Sequence, residues 1–561
     1  MCGYVFVSYR DKKTKKISHS MMRHRGPDYS GEIDLDWCRV RHWRLSIQDL
    51  TEHSHQPFTD QENYLVYNGE FYDFRQLAKK LYSKSFQSDT ELLFHALKRN
   101  EFDLLKKESG FYSFVFIVQS SKTIFSARDF FGKKPLYYFF DEDLLVIASE
   151  DSTIRKVVLE YGKNVAIDPS SIAHYFEYKD LHFGKTYFKG INELAPGSSL
   201  SFDFGNWKLS ENISWHEYYY SKPFYESESI SRKNNQPMIS TQELKENLVS
   251  SIEKRFSADV PVQLALSGGI DSTLLALLAK NHKNFDRALT ISSGSRPTEL
   301  IKSRLLCKKF GIDQFVIDFD DIDVMECLKD AIKAQASPLS HPHALAIYTI
   351  TKEASKRGKV LITGEGADEL MYGYEHYKKD KITFAFKKHL NLDDCFKGVN
   401  LHMICESNSS MMVNFLDNNS YRDLEVKTHL LSLLRRNDRN SMQNSVELRA
   451  AYLDFYLFEY VTNQQKIGAL KKGKEPIVEV IKDLYMDYEV DSEKIGFYVP
   501  FDNWFSSNAD LEEVDFYIRK ALSFFENELN LDFLDDASIE KKLAWSLLNI
   551  GVFLELEGYD V

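Results

Sequence analysis

Residues 264–273 read Leu264-Ala265-Leu266-Ser267-Gly268-Gly269-Ile270-Asp271-Ser272-Thr273. The apolar start predicts a strand over 261–266, and the leucines that follow predict a helix over 274–280. A glycine- and serine-rich turn between a strand and a helix offers backbone N–H groups and a helix N-terminus to an anion. The spacing is neither GxxxxGK[ST] nor GxGxxG, which argues against a P-loop NTPase and against a dinucleotide site. The stretch therefore predicts a phosphate site of another kind.

Strands and helices alternate on the C-terminal side of this turn. Further strands are predicted at 288–292, 315–318 and 360–363, and a further helix at 300–310. Units of this length form parallel sheets that helices cover on both faces. On the N-terminal side, Ser240 and Glu243 form a capping box, which predicts that a helix opens this half of the chain.

The N-terminal part of the chain has a different texture, rich in short strands. These strands are predicted at 65–67, 111–118, 122–125 and 136–140. Residues 206–239 then show no apolar period, so they are predicted to link two domains. The predicted domains are 2–205, of the α+β class, and 240–561, of the α/β class with C-terminal helices.

The composition excludes several classes of protein. Of the 561 residues, 43% are hydrophobic and 27% are charged, which is typical of a globular chain and not of a collagen-like or disordered one. The formal net charge is −12, so we expect no nucleic-acid binding through the overall field. No apolar run reaches the roughly 18 residues of a membrane span, and no secretory signal follows Met1. The 6 cysteines are too sparse for a disulfide scaffold, and a cytoplasmic enzyme is expected.

One of these cysteines occupies position 2. Removal of Met1 would give Cys2 both a thiol and a free α-amino group, whose pKa is ordinarily about 7.7–8.0. That amine could accept the thiol proton, so one residue would supply nucleophile and base without a separate histidine. The alternative is a structural thiol, which is our interpretation of the other cysteines.

Six further motifs accompany Cys2 and Gly3 in the N-terminal domain. They read MRHRGPDYSG (22–31), RLSIQDL (44–50), HQPF (55–58), YNGEFYDF (67–74), QSDTEL (87–92) and ARDFFGKKPLYY (127–138). In order and spacing they resemble the glutamine amidohydrolase domain of class II amidotransferases. The resemblance implies an N-terminal-nucleophile fold, in which two stacked sheets lie between helices as an αββα sandwich.

The same resemblance implies a glutamine site in this domain. Arg44 would bind the α-carboxylate of the substrate, and Asp89 and Glu70 its α-amino group. The Asn68 side chain and the Gly69 backbone N–H would stabilise the oxyanion, and Asn68 would also contact glutamine. Each residue alone has a structural explanation, since Asn-Gly is a hairpin-turn dipeptide and an arginine often forms a surface ion pair.

The turn at 264–273 matches the SGGxDS loop of ATP pyrophosphatases, and further motifs follow it. They read LITGEGADEL (361–370), DRNSM (438–442), SVELR (445–449), GK (473–474) and KIGFYVP (494–500). Together they are similar to the synthetase domain of glutamine-hydrolysing asparagine synthetases, over about residues 240–555. The resemblance implies an α/β parallel-sheet domain of the ATP-pyrophosphatase, or adenine nucleotide α hydrolase-like, type.

This second resemblance implies a two-step ligation that consumes ATP and uses Mg²⁺. A substrate carboxylate attacks the α-phosphorus and releases pyrophosphate, and ammonia made at Cys2 then displaces AMP. Glu365 is the candidate general base for the ammonia attack, while Asp271 and Asp368 are the candidate Mg²⁺ ligands. The candidate ATP- and pyrophosphate-binding residues are Leu266, Ser267, Gly268, Gly269, Asp271, Ser272, Ile291, Gly364 and Lys474.

The stretch 336–346, ASPLSHPHALA, departs from the family pattern. It holds neither the Thr-Thr-Ile-Arg segment of enzymes dedicated to aspartate nor the Asp-Glu-Pro segment of other members. His341 and His343 are interpreted as neutral imidazoles lining a loop rather than as metal ligands.

Three functions therefore stay open. The favoured one amidates aspartate to asparagine, and the second amidates another carboxylate, such as a uronic-acid sugar of a surface polysaccharide or a peptide side chain. The third is a non-catalytic relative that binds nucleotide or protein. The expected partners are small molecules, namely glutamine, ATP and aspartate, and a homodimer is a further expectation.

Overall fold

A computed structural model describes most of the chain. The described residues are 2–10, 13–102, 105, 110–182, 184–212, 241–294, 297–371, 373–374, 426–466, 473–486, 511–525 and 537–559. The motif at 494–500 and residues 213–239 of the predicted linker lie outside them.

The N-terminal half contains two antiparallel sheets of six strands each. The strands are β1 (Cys2–Tyr9), β2 (Tyr29–Asp34), β3 (Cys38–Arg44), β4 (Phe58–Thr59), β5 (Asn63–Phe71), β6 (Gly110–Val118), β7 (Thr123–Arg128), β8 (Tyr137–Phe140), β9 (Leu144–Ala148), β10 (Ile191–Glu193), β11 (Ser199–Asp203) and β12 (Lys208–Asn212). Their order is β10-β8-β9-β1-β3-β2 in the first sheet and β12-β11-β7-β6-β5-β4 in the second.

Alternating side chains of β1 show how the two sheets stack. Tyr4 and Phe6 are buried against Val66 of the second sheet, whereas Val5 and Val7 are buried on the opposite face, under helices. The helices of this half are α1 (Phe74–Tyr82), α2 (Asp89–Lys98), α3 (Asp151–Glu160) and α4 (Pro169–Tyr178). The first two cover the second sheet and the last two cover the first. This arrangement confirms the predicted αββα sandwich.

The C-terminal half is built on one parallel sheet. Its strands are β13 (Val262–Ala265), β14 (Phe285–Ser292), β15 (Gln314–Asp318), β16 (Val360–Thr363) and β17 (Glu447–Ala450). They are ordered β15-β14-β13-β16-β17, and every neighbouring pair is parallel. Two adjacent residues of β16, Leu361 and Ile362, belong to hydrophobic clusters on opposite faces. The sheet is therefore covered on both faces, which confirms the predicted α/β class.

The helices of this half surround the sheet. They are α5 (Thr241–Lys254), α6 (Ile270–Ala279), α7 (Pro297–Phe310), α8 (Val324–Gln335), α9 (His343–Ala354), α10 (Ala367–Met371), α11 (Leu431–Gln443), α12 (Phe455–Lys466), α13 (Glu475–Leu484), α14 (Leu511–Phe524) and α15 (Ala537–Leu556). One π-helical turn, Val426–Leu430, leads into α11.

The structure differs from the sequence-based predictions in several details, two of which lie near the phosphate loop and at the end of the N-terminal half. Helix α6 begins at Ile270 rather than at 274, because polar residues in its first turn hide the helical period; the Ser272 hydroxyl bonds the Gly269 carbonyl at 3.0 Å there. Strand β12 lies inside the stretch that we predicted as a linker, and it pairs with β11 along its whole length.

Charged residues of α11 connect the two halves. The Asp438 carboxylate lies 2.9 Å from the Arg25 guanidinium, and Arg439 lies 3.4 Å from Glu150 and also pairs with Asp151. All five side chains are buried. A buried ion pair that loses one partner leaves an uncompensated charge in a medium of low polarity, so these contacts fix how the halves meet.

We expect Arg439→Met to destabilise the protein strongly, because Glu150 and Asp151 would lose a buried cation. Removing one partner of a buried ion pair costs about 3–5 kcal/mol of folding free energy. Calorimetric thermal unfolding measures the effect, and Arg519→Met is the matched control because Arg519 pairs with Asp515 at the surface. Equal melting temperatures of the two variants would contradict this interpretation.

Two candidate active sites

The candidate nucleophile begins strand β1. Cys2 pairs with Arg44 of β3, and its side chain is buried. Burial raises the pKa of the Cys2 thiol, although the Leu45 N–H and the Arg44 charge partly oppose this. A thiol in such a place stays protonated unless a base takes its proton. The geometry therefore calls for a base at the nucleophile itself, which a free α-amino group would supply.

The candidate oxyanion donors lie on strand β5, which belongs to the second sheet. The Cys2 backbone N–H donates to Asn68 Oδ1 at 3.1 Å. Asn68 Nδ2 is buried and has no hydrogen-bond partner among the described residues, so a donor stands ready beside the thiol. At Gly69 an added Cβ would lie 2.2 Å from the Phe111 carbonyl oxygen, so only glycine fits this position.

The candidate residues for the two ends of glutamine are held rigidly near Cys2. The Arg44 guanidinium donates to the backbone carbonyls of Thr51, at 2.7 Å, and Asp49. The Asp89 carboxylate accepts from the Phe71 N–H and the Tyr67 hydroxyl, both at 3.1 Å. Burial raises the pKa of Asp89, and these two hydrogen bonds partly offset the shift.

Glu70 turns away from this group towards the C-terminal half. Its carboxylate accepts a hydrogen bond from Gln48 and lies 3.7 Å from the Arg449 guanidinium. Burial and the nearby Glu447 carboxylate raise the pKa of Glu70 well above its ordinary value. The structure thus brings Cys2 together with the other glutamine-site candidates and places Glu70 at the domain interface.

The phosphate-loop candidates form a closed network of hydroxyl contacts. The Ser267 and Ser272 hydroxyls lie 3.1 Å apart, and Ser267 Oγ also accepts the Gly269 N–H at 3.3 Å. Gly268 has φ +78°, and an added Cβ would lie 2.9 Å from the Glu299 carbonyl oxygen. The glycine lets the chain turn tightly from β13 into α6, so backbone N–H groups and hydroxyls gather at the helix N-terminus.

Lys474 connects the two candidate metal ligands. Its ammonium group pairs with the Asp271 carboxylate and lies 2.7 Å from Asp368 Oδ1. Burial lowers the pKa of Lys474, but the two carboxylates outweigh this effect and the net shift is upward. Lys474 is therefore positively charged, and its ammonium group lies beside Asp271 of the phosphate loop.

The donor set suits Mg²⁺ that arrives with a nucleotide. Within the described residues, no group of three or more His, Cys, Asp or Glu side chains is placed to hold a metal. Mg²⁺ in nucleotide enzymes typically takes one or two carboxylates and completes its shell with phosphate oxygens and water. Asp271 and Asp368 offer those two carboxylates, joined through Lys474.

A cavity of ≈ 270 Å³ joins most of these candidates. Its lining combines apolar residues, among them Leu266 and Ile291, with hydroxyl, carboxylate and glycine positions of the candidate site. Its lining comprises Ala265, Leu266, Ser267, Asp271, Ser272, Leu289, Ile291, Ala346, Ile347, Ile350, Thr363, Gly364 and Glu365. A mainly apolar lining with a few polar groups is typical of small-molecule sites.

The candidate base Glu365 lies at the edge of this cavity. Its Oε2 accepts hydrogen bonds from Asn437 Nδ2 at 2.9 Å and from the Arg436 guanidinium at 3.2 Å. Both donors belong to α11. Helix α11 therefore positions Glu365 from one side while Asp438 and Arg439 hold the N-terminal half from the other.

The stretch that departs from the family pattern ends in a helix rather than in a loop. His343 begins α9, and His341 precedes it with Nδ1 at 3.3 Å from the Lys179 ammonium of the N-terminal half. Burial holds the pKa of His341 well below its usual value, and Lys179 lowers it further. His341 is thus neutral, as the sequence-based interpretation expected.

Comparison with known proteins identifies a family domain in each half. The model of the glutamine amidotransferase domain matches residues 1–219, and that of asparagine synthase matches residues 243–555, more than half of the chain. The chain belongs to the asparagine synthase family. The enzyme is therefore an ATP-dependent ligase that hydrolyses glutamine as its nitrogen source.

Relatives of the enzyme carry two kinds of name. It is 24% identical to "Asparagine synthetase [glutamine-hydrolyzing] 1" of Bacillus subtilis, over 98% of this chain and 95% of that protein. It is 25% identical to a putative glutamine-hydrolysing asparagine synthetase of Mycobacterium tuberculosis, over 89% of this chain and 85% of the relative. "Amidase chyE" of Penicillium rubens is 28% identical over 66% of this chain and 56% of its own length.

Family membership answers several of the open questions. The enzyme class excludes the hypothesis of a non-catalytic relative that only binds nucleotide or protein. ATP is a substrate in this family. No helix within the described part of the chain is long and apolar enough to cross a membrane. The individual site roles, the domain boundaries, the homodimer and the cellular location stay predictions.

Sequence motifs alone did not identify the residues that position Glu365. Arg436 and Asn437 precede the DRNSM motif. They lie 71 and 72 positions after Glu365 in the chain, yet both contact it. Arg25 lies inside a quoted motif, yet its contact with the Cys2 carbonyl at 3.0 Å becomes visible only in the structure. Long-range contacts between charged groups leave no periodic signal in the sequence.

Asn68→Ala tests the oxyanion assignment. We expect glutamine hydrolysis to slow by about 10²–10³-fold in kcat, because the variant loses the donor beside the Cys2 thiol. Glutamate formation without ATP is the measurement. Asn192→Ala, at an exposed position of the same half, is the control and should retain full activity. Equal rates for the two variants would remove Asn68 from the site.

Lys474→Met tests the pyrophosphate assignment. We expect pyrophosphate release with ammonium chloride as nitrogen source to fall at least about a hundredfold, because the leaving phosphates lose a positioned cation. Glutamine hydrolysis should be unaffected. Lys482→Met, at an exposed position of α13, is the matched control. Normal pyrophosphate release by the Lys474 variant would show that the ATP site lies elsewhere.

Proposed function

We propose that the enzyme makes asparagine from aspartate, using ATP and the amide nitrogen of glutamine. The support is that the N-terminal sandwich holds a buried thiol and the parallel sheet holds a cavity beside the phosphate loop. Two amide-transfer half-reactions need two such sites, since a thiolate and an activated acyl group would otherwise react with each other.

The first half-reaction takes place at Cys2, after removal of Met1. The Cys2 α-amine takes the thiol proton, and Sγ attacks the side-chain carbonyl of glutamine. The Asn68 Nδ2 and the Gly69 N–H stabilise the oxyanion, while Arg44 and Asp89 bind the two charged ends. Collapse of the intermediate breaks the carbon–nitrogen bond, and the leaving nitrogen takes the proton from the α-ammonium group and departs as ammonia. Water then cleaves the thioester to glutamate and restores the thiol.

The second half-reaction begins in the cavity beside the phosphate loop. A side-chain carboxylate oxygen of aspartate attacks the α-phosphorus of ATP, and the bond to the bridging oxygen breaks. The departing pyrophosphate is bound by Ser267, Gly268, Gly269, Ser272 and Lys474, while Leu266, Ile291 and Gly364 border the rest of the nucleotide. Mg²⁺ held by Asp271 and Asp368 would neutralise charge on the phosphate oxygens.

Amide formation completes the second half-reaction. The nitrogen of ammonia attacks the acyl carbon, the acyl–oxygen bond breaks, and AMP leaves. Glu365 accepts the proton that the nitrogen loses. Because Arg436 and Asn437 hold its Oε2, the other carboxylate oxygen can point at the cavity. Because Glu365 is already oriented, no conformational entropy of this side chain is lost during the reaction.

The observation that carries this proposal is a continuous set of contacts between the sites. Arg25 binds the Cys2 carbonyl at 3.0 Å and the Asp438 carboxylate at 2.9 Å. The preceding residue on α11, Asn437, donates to Glu365 at 2.9 Å. One helix thus fixes the nucleophile of the first site and the base of the second in a common frame.

A second candidate acceptor is a carboxylate other than aspartate. It is favoured by the contact of His341 with Lys179, because the N-terminal half contributes a cation where the aspartate-type arginine segment is absent. A uronic-acid sugar or a peptide side chain would present its carboxylate in the same way.

One assay separates the two acceptors. With glutamine, Mg·ATP and aspartate, we expect pyrophosphate release that depends on aspartate, with one asparagine formed for each pyrophosphate. Cys2→Ala is the control, which should lose glutamine hydrolysis and keep synthesis from ammonium chloride. Hydrolysis of glutamine without any response to aspartate would favour the other carboxylates instead.

A further inference from the structure

Lys133 is a buried lysine in the motif ARDFFGKKPLYY. Its side chain is 1% exposed, and Nζ has no hydrogen-bond partner among the described residues. Burying a polar group without a partner is costly, so such a group calls for an explanation. The mechanism above uses no residue of this loop.

The loop around Lys133 is fixed and packs against the other half. Asp129 Oδ1 accepts the backbone N–H groups of Phe131 and Lys133, at 3.2 and 2.9 Å. A Cβ added to Gly132 would lie 3.1 Å from Leu431 Cδ1, at the start of α11. The side chain of Lys133 therefore starts from a rigid backbone at the interface between the two halves.

The acidic groups near the Lys133 amine belong to the C-terminal half. Burial lowers the pKa of Lys133 most, and Lys134 lowers it further. The carboxylates of Asp438, Glu365 and Glu447 oppose this, and the result is a pKa of about 8. Near that pH part of the Lys133 population is a neutral amine, which can donate an N–H without giving up a proton.

Two of these carboxylates are each connected to one of the two candidate active sites. Asp438 pairs with Arg25, which binds the Cys2 carbonyl at 3.0 Å. Glu365 lines the nucleotide cavity. Lys133 is thus within electrostatic reach of one carboxylate that is connected to the first site through Arg25 and of another that lines the cavity of the second.

We propose that Lys133 is a positioning residue that donates a hydrogen bond to ammonia on its way from Cys2 to Glu365. Ammonia is a small molecule with one lone pair, so it can satisfy the buried donor that the protein leaves without a partner. Ammonia keeps its protons and Lys133 keeps its own, so no bond is made or broken at this point. The inference rests on the proposed transfer of ammonia between the sites.

The test variant is Lys133→Met, which keeps the length and apolar stem of lysine and removes the donor. With glutamine, Mg·ATP and the acceptor acid, the ratio of pyrophosphate to glutamate measures how much ammonia reaches the second site. We expect this ratio to fall about threefold to tenfold, the effect of one lost hydrogen bond. Glutamine hydrolysis alone and synthesis from ammonium chloride should be unaffected.

The controls separate this inference from a structural role and from the proposed function. Lys189→Met, at an exposed position of the same half, should retain the wild-type ratio. An unchanged ratio in Lys133→Met would overturn the inference, and so would an equal loss of all three activities, which would indicate a structural lysine. Failure of the wild-type enzyme to use ammonium chloride with aspartate would instead contradict the proposed acceptor.

A second variant keeps the inference testable where Lys133→Met does not fold. Lys133→Gln retains an N–H donor in a neutral side chain of nearly the same length, so it should keep at least about half of the wild-type ratio. If Lys133→Gln folds but its ratio of pyrophosphate to glutamate falls as far as that of Lys133→Met, the effect is due to charge. That result would overturn the role of the hydrogen bond.

Discussion

The buried ion pairs of helix α11 are the constraint on which the arrangement of both sites depends. Asp438 meets Arg25, Arg439 meets Glu150, and Arg435 meets Glu193 at 2.6 Å, each pair crossing between the two halves. Desolvating such charges offsets much of their attraction, so their main effect is to specify one geometry of docking rather than to add stability. A shifted interface would strand several charges at once, so the halves have a single favourable arrangement.

This geometry matters because ammonia is small and uncharged, so a distant site cannot attract it through charge or shape. In the proposed reaction, the second site would bind aspartate and ATP through their charges, whereas neutral ammonia has to be delivered to a fixed position. A rigid connection from the Cys2 strand through Arg25 and α11 to Glu365 provides that place. The two hydrophobic clusters that run from one half into the other make the connection continuous in packing as well as in charge.

Local patterns made the fold and the loops predictable, whereas contacts between the halves left no local pattern. Strand 360–363 was predicted at its observed bounds, because four apolar or β-branched residues follow charged ones. Strand β17 was missed because it reads Glu-Leu-Arg-Ala. Its charges are buried only because Glu447 and Arg449 bond each other at 2.7 Å, and Arg449 also approaches Glu70. Lys133 escaped notice for the same reason, since a buried lysine looks like a surface one in sequence.

Glu70 shows what such contacts change in a motif-based assignment. Alternation along β5 places Asn68 and Glu70 on the same face of the strand. The Glu70 carboxylate nevertheless contacts Gln48 and lies 3.7 Å from the Arg449 guanidinium. Burial and the nearby Glu447 carboxylate favour the protonated form of Glu70, and its role in glutamine binding stays a prediction. The acceptor end follows the same principle, because Lys179 of the N-terminal half reaches His341. In the proposed reaction, substrate choice would then depend on both domains, because Lys179 of the N-terminal half contacts the stretch 336–346 that departs from the family pattern.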